Sequence, residues 1–256
     1  MKVLFAFSFV LLLLAGATES FAVNNATVDG HEYIDLGLSS GTMWATMNVG
    51  ASCPEDYGDY FAWGETVPKE IYNWDTYQWN SSNITGIIDE TKDLKPEYDA
   101  ARMNWGPSWR IPTKDQQDEL RTECTWQWEQ VNGVYGCVVT GPNGNSLFLP
   151  AAGLREDSLL NVAGSFGTIW SSSLFESDPC SAFGLDYFNT WLHWSHGYCY
   201  FGRVVRPVLH HADATGLTEL DAAKPKSGVR YNVMGQPVGN GYKGIVIEDG
   251  VKMIVR

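Results

Sequence analysis

The stretch "TKDQQDELRTECTWQWEQVNGVYGCVV" (residues 113–139) places a helix signal directly before a hairpin signal. Thr113 and Gln116 stand three residues apart and follow Pro112, which stops whatever element precedes it. This spacing is typical of a capping box, in which the threonine and glutamine side chains satisfy the first backbone N–H groups of a helix. The pattern predicts a helix over residues 113–123.

The hairpin signal is the pair Asn132-Gly133, which favours a two-residue turn between antiparallel strands. In that register Cys137 lies opposite Trp128 rather than opposite Cys124. A direct disulfide bond between the two cysteines is therefore not expected. The chain has five cysteines in all, an odd number at scattered spacing, so the sequence indicates no disulfide framework.

Outward from this stretch, the pattern is that of an α+β protein with two helices and many short antiparallel strands. A second helix is predicted over 96–106, with Pro96 at its start and Gly106 just past its end. Residues 126–208 read as short strands separated by turns, and residues 72–95 read as a long polar surface loop. Early helices followed by a run of strands favour segregated α and β elements.

The two ends of the chain carry different signals. Residues 1–22 have one lysine, an apolar run, and small residues at 20 and 22, which together predict a signal peptide cleaved after residue 22. The apolar run is too short to span a membrane. We therefore expect a secreted or cell-surface protein with a domain over 23–209, a linker over 210–226 and a tail over 227–256 that contains a β-hairpin around 248–250.

Charge and composition exclude one class of partner and favour another. The net charge is −13 and no basic stripe is present, so the sequence predicts no binding to nucleic acid. Aromatic residues are abundant, with Trp 11, Tyr 12 and Phe 11. This content suits a compact, loop-rich β structure or a stacking surface.

Several separate stretches resemble the Fibrobacter succinogenes major paralogous domain family, secreted proteins common in Bacteroidota. They are "DLGLSSGTMWATMNVGA" (35–51), "PEDYGDYFAWGET" (54–66), "SWRIPT" (108–113), "VTGPNGNSLFLPAAG" (139–153), "IWSSSL" (169–174) and "RVVRPV" (203–208). The resemblance runs from about residue 30 to residue 208. It implies a C-type-lectin-like fold of the formylglycine-generating-enzyme subclass, with the last two stretches as core framework. Separately, the tail resembles the shorter sorting signals of the type IX secretion route.

Members of this fold family also include the variable proteins of diversity-generating retroelements. In such systems an AAY codon becomes any NNY codon, which excludes Met, Gln, Lys, Trp and Glu. Between residues 177 and 208 the chain contains none of these except Trp191 and Trp194, which a template supplies as fixed positions. The competing explanation is a half-buried β segment, which also avoids lysine and glutamate.

Either explanation leaves residues 178–201 as the best candidate for ligand contact, because aromatic, histidine and serine side chains on a rigid scaffold suit recognition. We expect the ligand to be a protein or a carbohydrate. The family pattern is irregular at eleven of the expected contact positions and also at Cys199, and Trp194 is added to the contact set as a fixed platform. The expected contact residues are Phe183, Asp186, Tyr187, Thr190, Leu192, His193, Trp194, Ser195, His196, Tyr198, Tyr200 and Phe201. The regular positions, expected as framework, are Ala182, Leu185, Trp191, Gly202, Val205 and Arg206.

The sequence predicts no metal, no cofactor and no catalytic residue. His193 and His196 are three apart on a predicted strand or loop and therefore point to opposite faces. The calcium-dependent sugar motif of C-type lectins is absent, and Cys180 and Cys199 match no catalytic cysteine motif. An enzyme on the formylglycine-generating scaffold and a structural surface protein without a dedicated ligand stay open as alternatives.

Overall fold

The computed structural model describes residues 26–209 with their side chains, together with the backbone of segments 230–232, 237–238, 244–248 and 251–255. The expected signal peptide (1–22) and linker (210–226) lie outside the described residues. The described chain is α+β, with two α-helices and many short antiparallel strands in several small sheets, as the sequence predicts. None of its helices is long and apolar enough to cross a membrane.

The elements follow one another in a strand-rich order. The helices are α1 Ala100–Trp105 and α2 Lys114–Glu123, with short 3-10 turns at Ile84–Gly86 and Pro96–Tyr98. The strands of the described domain are β1 Ala26–Val28, β2 His31–Asp35, β3 Met43–Ala45, β4 Tyr60–Phe61, β5 Thr125–Val131, β6 Val134–Thr140, β7 Ser146–Pro150, β8 Leu154–Glu156, β9 Leu159–Asn161, β10 Gly167–Leu174, β11 Ser181–Tyr187, β12 Leu192–Tyr198, β13 Arg203–Val204 and β14 Val208–Leu209.

A five-stranded sheet in the order β12-β11-β10-β13-β4 positions the candidate site. Its pairings are antiparallel except for the parallel contact between β10 and β13. A four-stranded sheet β1-β2-β3-β14, a three-stranded sheet β5-β6-β7 and a ribbon β8-β9 complete the domain. In the central sheet β12 is one of the two edge strands.

Buried tryptophans tie the sheet to the loops around it. The Trp63 indole donates to the Ser171 carbonyl at 2.9 Å, and the Trp170 indole donates to the Phe61 carbonyl at 2.8 Å. Arg206 is fully buried and donates to the Asn48 side chain at 2.8 Å and to two main-chain carbonyls. These polar groups are satisfied inside the core, and stretches 169–174 and 203–208 are largely buried.

Helix α2 begins as predicted, whereas α1 is shorter than predicted. Thr113 accepts from the Gln116 backbone at 3.2 Å, and the Gln116 side chain accepts from the Thr113 backbone at 3.1 Å. The predicted helix over 96–106 divides into the 3-10 turn and α1, because the Asp99 side chain accepts from the Arg102 backbone at 3.1 Å and starts a new helix there. Gly106 ends α1 with a φ of 110°.

The hairpin β5–β6 has the predicted register, with Trp128 opposite Cys137. Asn132 and Gly133 have φ angles of 48° and 88°, the left-handed pair that a tight two-residue turn requires. In the tail, β17 Gly244–Glu248 pairs antiparallel with β18 Val251–Val255, as expected for a hairpin, although residues 249–250 lie outside the described segments. Two further strands, β15 Arg230–Asn232 and β16 Pro237–Val238, extend it to a four-stranded sheet.

The prediction that residues 72–95 form a surface loop is wrong in one respect. The segment is long and carries no extended strand, but several of its apolar side chains are buried in the main core, namely Tyr72, Tyr77, Ile84, Ile87, Ile88 and Leu94. Tyr77 donates its hydroxyl to the Trp63 carbonyl at 2.7 Å. Scattered apolar residues without periodicity hide such burial from a reading of the sequence.

Candidate ligand-binding surface

The hairpin β11–β12 forms the centre of the candidate surface. Its seven cross-strand pairs run without a bulge from Ser181 opposite Tyr198 to Tyr187 opposite Leu192. A two-residue turn at 189–190 joins the strands, closed by the Phe188 amide donating to the Trp191 carbonyl at 2.9 Å. Because side chains alternate along a strand, residues 192, 194, 196 and 198 share one face, and residues 193, 195 and 197 share the other.

The structure divides the twelve predicted contact residues into three groups by exposure. Exposed are Thr190, His193, Trp194, His196 and Tyr198. Partly exposed are Phe183, Leu192, Ser195 and Phe201. Buried are Asp186, Tyr187 and Tyr200. The first two groups lie along the edge of the sheet, on both of its faces, and the third is covered by other parts of the domain.

Tyr187 and Asp186 belong to the interior. The Tyr187 hydroxyl donates to the Pro150 carbonyl at 2.8 Å, and burial raises the pKa of Tyr187 above its ordinary value. Asp186 accepts from the Thr168 hydroxyl at 2.6 Å and lies 3.6 Å from an Arg203 Nη1. Both side chains are therefore structural in this fold, which corrects their expected display on the surface.

Tyr200 is covered by its neighbours on the same side of the domain. Its hydroxyl donates to Glu156 at 3.1 Å, and its ring meets the edge of Trp74 with centroids 4.7 Å apart. Burial raises the pKa of Tyr200 to about 12. The side chain therefore supports the exposed rings of Trp74 and Tyr198 from below.

Two clusters of aromatic rings flank the exposed strand. In the first, His196 stacks on Phe175 with centroids 4.0 Å apart, and Phe183 meets Trp194 edge-on at 5.4 Å. The Lys114 ammonium lies 5.1 Å from the centroid of the Trp194 ring. These contacts fix the rings of β12 against the start of helix α2.

The second cluster contains Trp74, which no sequence pattern marks as a contact residue. Trp74 comes from the long segment 72–95 and lies 5.8 Å from Tyr198 between ring centroids. Tyr198 in turn stacks on Tyr200 at 5.6 Å. The polar neighbours of Trp74 along the chain gave no sign that it would meet the hairpin, since this contact depends on tertiary folding.

At this edge of the sheet, exposed aromatic side chains lie close to a hollow in the surface. The exposed fractions are 43 % for Trp74, 46 % for Trp191, 37 % for Trp194 and 48 % for Tyr198. A hollow of about 240 Å³ lies among these clusters, lined by Asp178, Ser181, His196, Gly197, Tyr198 and Phe201. It combines one carboxylate, one imidazole and two aromatic rings, a set that can stack on a ligand and also bind it by hydrogen bonds.

A second hollow of about 200 Å³ opens at the turn of the hairpin, and its walls come from two hairpins. Trp126 and Trp128 line it from β5, and Trp191 and Leu192 line it from the β11–β12 hairpin. Trp191 was expected as framework, but it is exposed here and packs against Phe188 at 4.6 Å. The other five framework residues are buried, as expected.

Behind the strand, Arg203 holds the hairpin in place. Its guanidinium carbon lies 4.3 Å from the centroid of Trp170, and its nitrogens occupy the space that a Cβ on Gly184 or Gly197 would need. Burial lowers the pKa of Arg203 despite the nearby Asp186 carboxylate. Its Nε and Nη1 have no hydrogen-bond partner among the described residues.

The cysteines are all free thiols, and Cys137 and Cys199 are buried. Burial raises the pKa of Cys137 to about 12 and that of Cys124 to about 11, and it also raises the pKa of Cys180 and Cys199. A thiol with a raised pKa is a poor nucleophile at neutral pH. Within residues 26–209 no group of three His, Cys, Asp or Glu side chains lies close enough to hold a metal ion.

No protein-family model, curated protein or solved structure matches this chain.

Proposed function

We propose that this protein is an exported ligand-binding module that is secreted or displayed at the cell surface. Its contact surface is the aromatic edge, defined as Trp74, Trp191, Trp194, His196 and Tyr198 with the adjoining 240 Å³ hollow. The ligand is a protein or a glycan. We also propose that the chain belongs to the family that its motifs resemble and has a C-type-lectin-like fold. Both of these proposals rest on the sequence motifs.

The observation that carries this proposal is a group of exposed aromatic rings at one edge of the sheet, two of which, His196 and Tyr198, line a concavity. Single exposed apolar residues are ordinary, but a contiguous group beside a hollow usually marks a contact site. Trp and Tyr are also the residues that contribute most to binding per side chain, because their rings bury a large area with little loss of conformational freedom. Here Asp178 and His196 add polar groups at the same place.

Rigidity of the scaffold supports the same conclusion. The strand that carries Trp194, His196 and Tyr198 is paired along its whole length to β11, and Arg203 packs behind it. A surface that is ordered before the ligand arrives loses less entropy on binding. The arrangement therefore favours recognition over a purely structural role.

The test is a binding screen with the chain lacking residues 1–22, applied to arrayed glycans and arrayed cell-surface proteins. For any ligand found, Tyr198→Ala and Trp194→Ala should each weaken binding roughly tenfold or more, since central aromatic residues carry at least 1 to 2 kcal/mol. Met103→Ala is the matched control, because Met103 is exposed on α1 outside the aromatic edge. Loss of affinity in the control with none in the two aromatic variants would contradict the proposal.

A further inference from the structure

The outer side of β12 exposes backbone groups that the fold leaves unpaired. The hairpin has hydrogen-bonded pairs at both ends, since Phe188 donates to the Trp191 carbonyl and Cys199 donates to the Cys180 carbonyl, each at 2.9 Å. In an antiparallel ladder, hydrogen-bonded and non-hydrogen-bonded pairs alternate. Between these ends, residues 193, 195 and 197 therefore bond to β11.

The intervening residues Leu192, Trp194, His196 and Tyr198 consequently direct their N–H and C=O groups away from the sheet. The Tyr198 carbonyl accepts from the Phe201 amide at 2.9 Å, and the Trp194 carbonyl lies 3.2 Å from His193 Nδ1. In the described part of the chain the four outward N–H groups have no partner of their own. A strand edge of this kind is a template for another strand.

This edge also lacks the features that normally prevent pairing. Proteins protect exposed edges with lysine, proline, bulges or very short strands. Residues 187–202 contain no Lys, Arg, Asp, Glu or Pro, and the register of β11 with β12 has no bulge. The opposite edge of the sheet, β4, is only two residues long. In a chain with a net charge of −13, this uncharged edge is where two copies approach with little repulsion.

We propose that β12 pairs antiparallel with β12 of a second copy of this chain, about a two-fold axis at Ser195. Antiparallel hydrogen-bonded pairs must join two outward residues, so Trp194 pairs with His196 of the second copy and Leu192 pairs with Tyr198. Every outward N–H then faces a carbonyl of the second copy, and the Tyr198 carbonyl, which already accepts from the Phe201 amide, would accept a second hydrogen bond. The two five-stranded sheets become one continuous sheet.

The side chains fit this register on both faces. On the aromatic face, the indole of Trp194 meets a flat imidazole, and Leu192 meets a phenol ring, pairs that stabilise neighbouring strands. On the other face, His193 lies opposite Gly197 of the second copy, which has no side chain of its own, and Ser195 lies opposite itself. This self-complementarity favours a second copy over an unrelated extended peptide, and a two-fold contact closes without forming a fibre.

The inference goes beyond the proposed function, because it makes the binding surface a property of two chains. Trp194 and Leu192 of the second copy would stand beside His196 and Tyr198, which line the 240 Å³ hollow. A dimer would therefore present two aromatic edges side by side and bind repeated ligands with higher avidity. Self-association can be measured without any ligand, so its failure is distinguishable from a failure of the binding proposal.

The test is sedimentation equilibrium of the chain lacking residues 1–22, combined with backbone hydrogen exchange at several protein concentrations. The wild type should reach twice the monomer mass. Exchange at the amides of residues 192, 194 and 196 should slow as concentration rises. Trp194→Lys should weaken association roughly tenfold or more, because the two introduced lysines flank the axis as like charges.

Trp191→Lys is the matched control, since it removes an equally exposed tryptophan at the hairpin turn, outside the paired strand. It should leave the dimer intact. His196→Pro is a second variant that deletes an outward N–H without breaking the ladder to β11. A monomeric wild type, a dimer that Trp194→Lys leaves unchanged, or concentration-dependent protection of another segment instead of β12 would overturn the proposal. If Trp194→Lys fails to fold, the exchange pattern of the wild type alone decides whether β12 pairs with a second copy.

Discussion

Arg203 and Gly197 share one space: the guanidinium of Arg203 lies where a Cβ on Gly197 would stand. Gly197 is the penultimate residue of β12, between His196 and Tyr198 of the aromatic edge, so this contact sets how closely that end of the strand approaches the core. The absence of a side chain at position 197 lets a buried arginine pass behind the strand. The geometry of the proposed contact surface therefore depends on Arg203, a buried residue outside that surface.

Gly197→Ala should destabilise the fold by about 1 to 3 kcal/mol, the usual cost of forcing extra volume into a packed interior. The added methyl group would meet a nitrogen of the buried Arg203 guanidinium, which packs on the Trp170 ring. Denaturant unfolding measures the change. The same substitution in an Arg203→Met background should cost less, and an equal cost in both backgrounds would show that Arg203 is not the obstacle.

Thr113→Ala should lower the free energy of unfolding by about 1 kcal/mol, because it removes the side chain that accepts from the first turn of α2. Thr122→Ala near the end of the same helix is the control. Its hydroxyl donates to the Asp118 carbonyl within the helix, a bond that does not favour helix formation. Thermal unfolding of both variants checks the prediction, and equal losses would contradict the role of the capping box.

The lowered pKa of His31 makes the stability of the fold depend on pH. The imidazole stacks on Trp105 with centroids 3.9 Å apart, and burial lowers the pKa of His31 below its usual value although Asp29 opposes the shift. The unfolded chain therefore binds a proton more readily than the folded chain. Stability should fall as pH drops below the unfolded value of 6.5 toward the folded pKa. His31→Phe should keep the stack and remove this part of the pH dependence in unfolding measurements from pH 7 to pH 5, and an unchanged profile would count against it.

Local signals allowed much of the fold to be predicted, whereas the burial of individual site residues required the tertiary structure. The capping box of α2 and the turn at Asn132-Gly133 act over a few residues, so the sequence alone locates them. Strand alternation also predicts that His193 and His196 face opposite ways. It does not say which face is covered, and Tyr187 is covered by parts of the chain distant in sequence, among them Trp126 and Pro150. Trp74 was missed for the same reason.

The composition of residues 177–208 leads to a prediction about the DNA that surrounds the gene. If this segment is diversified by a retroelement, a near-copy of its coding sequence with AAY codons at the variable positions should lie within a few kilobases of the gene, beside a reverse transcriptase. Buried positions such as Tyr187 should then be constant among sibling sequences, and exposed ones such as His193 and His196 should vary. Sequencing of the locus checks this. Finding neither the near-copy nor the reverse transcriptase would favour the half-buried β explanation.

The reactivity of the cysteine thiols distinguishes the proposed binding module from an enzyme that uses a cysteine for catalysis. Burial raises the pKa of Cys180, and Cys199 beside it is shielded almost completely, so neither should be a thiolate at neutral pH. Iodoacetamide labelling followed by mass spectrometry should modify Cys199 and Cys137 only after unfolding, and Cys180 slowly at pH 7 and faster at alkaline pH. Cys180→Ser should leave ligand affinity within about twofold of the wild type, since surface substitutions away from key contacts change free energies by about 0.5 kcal/mol or less. Rapid labelling of Cys180 at pH 7, together with loss of a turnover in Cys180→Ser, would instead favour the enzyme on a formylglycine-generating scaffold.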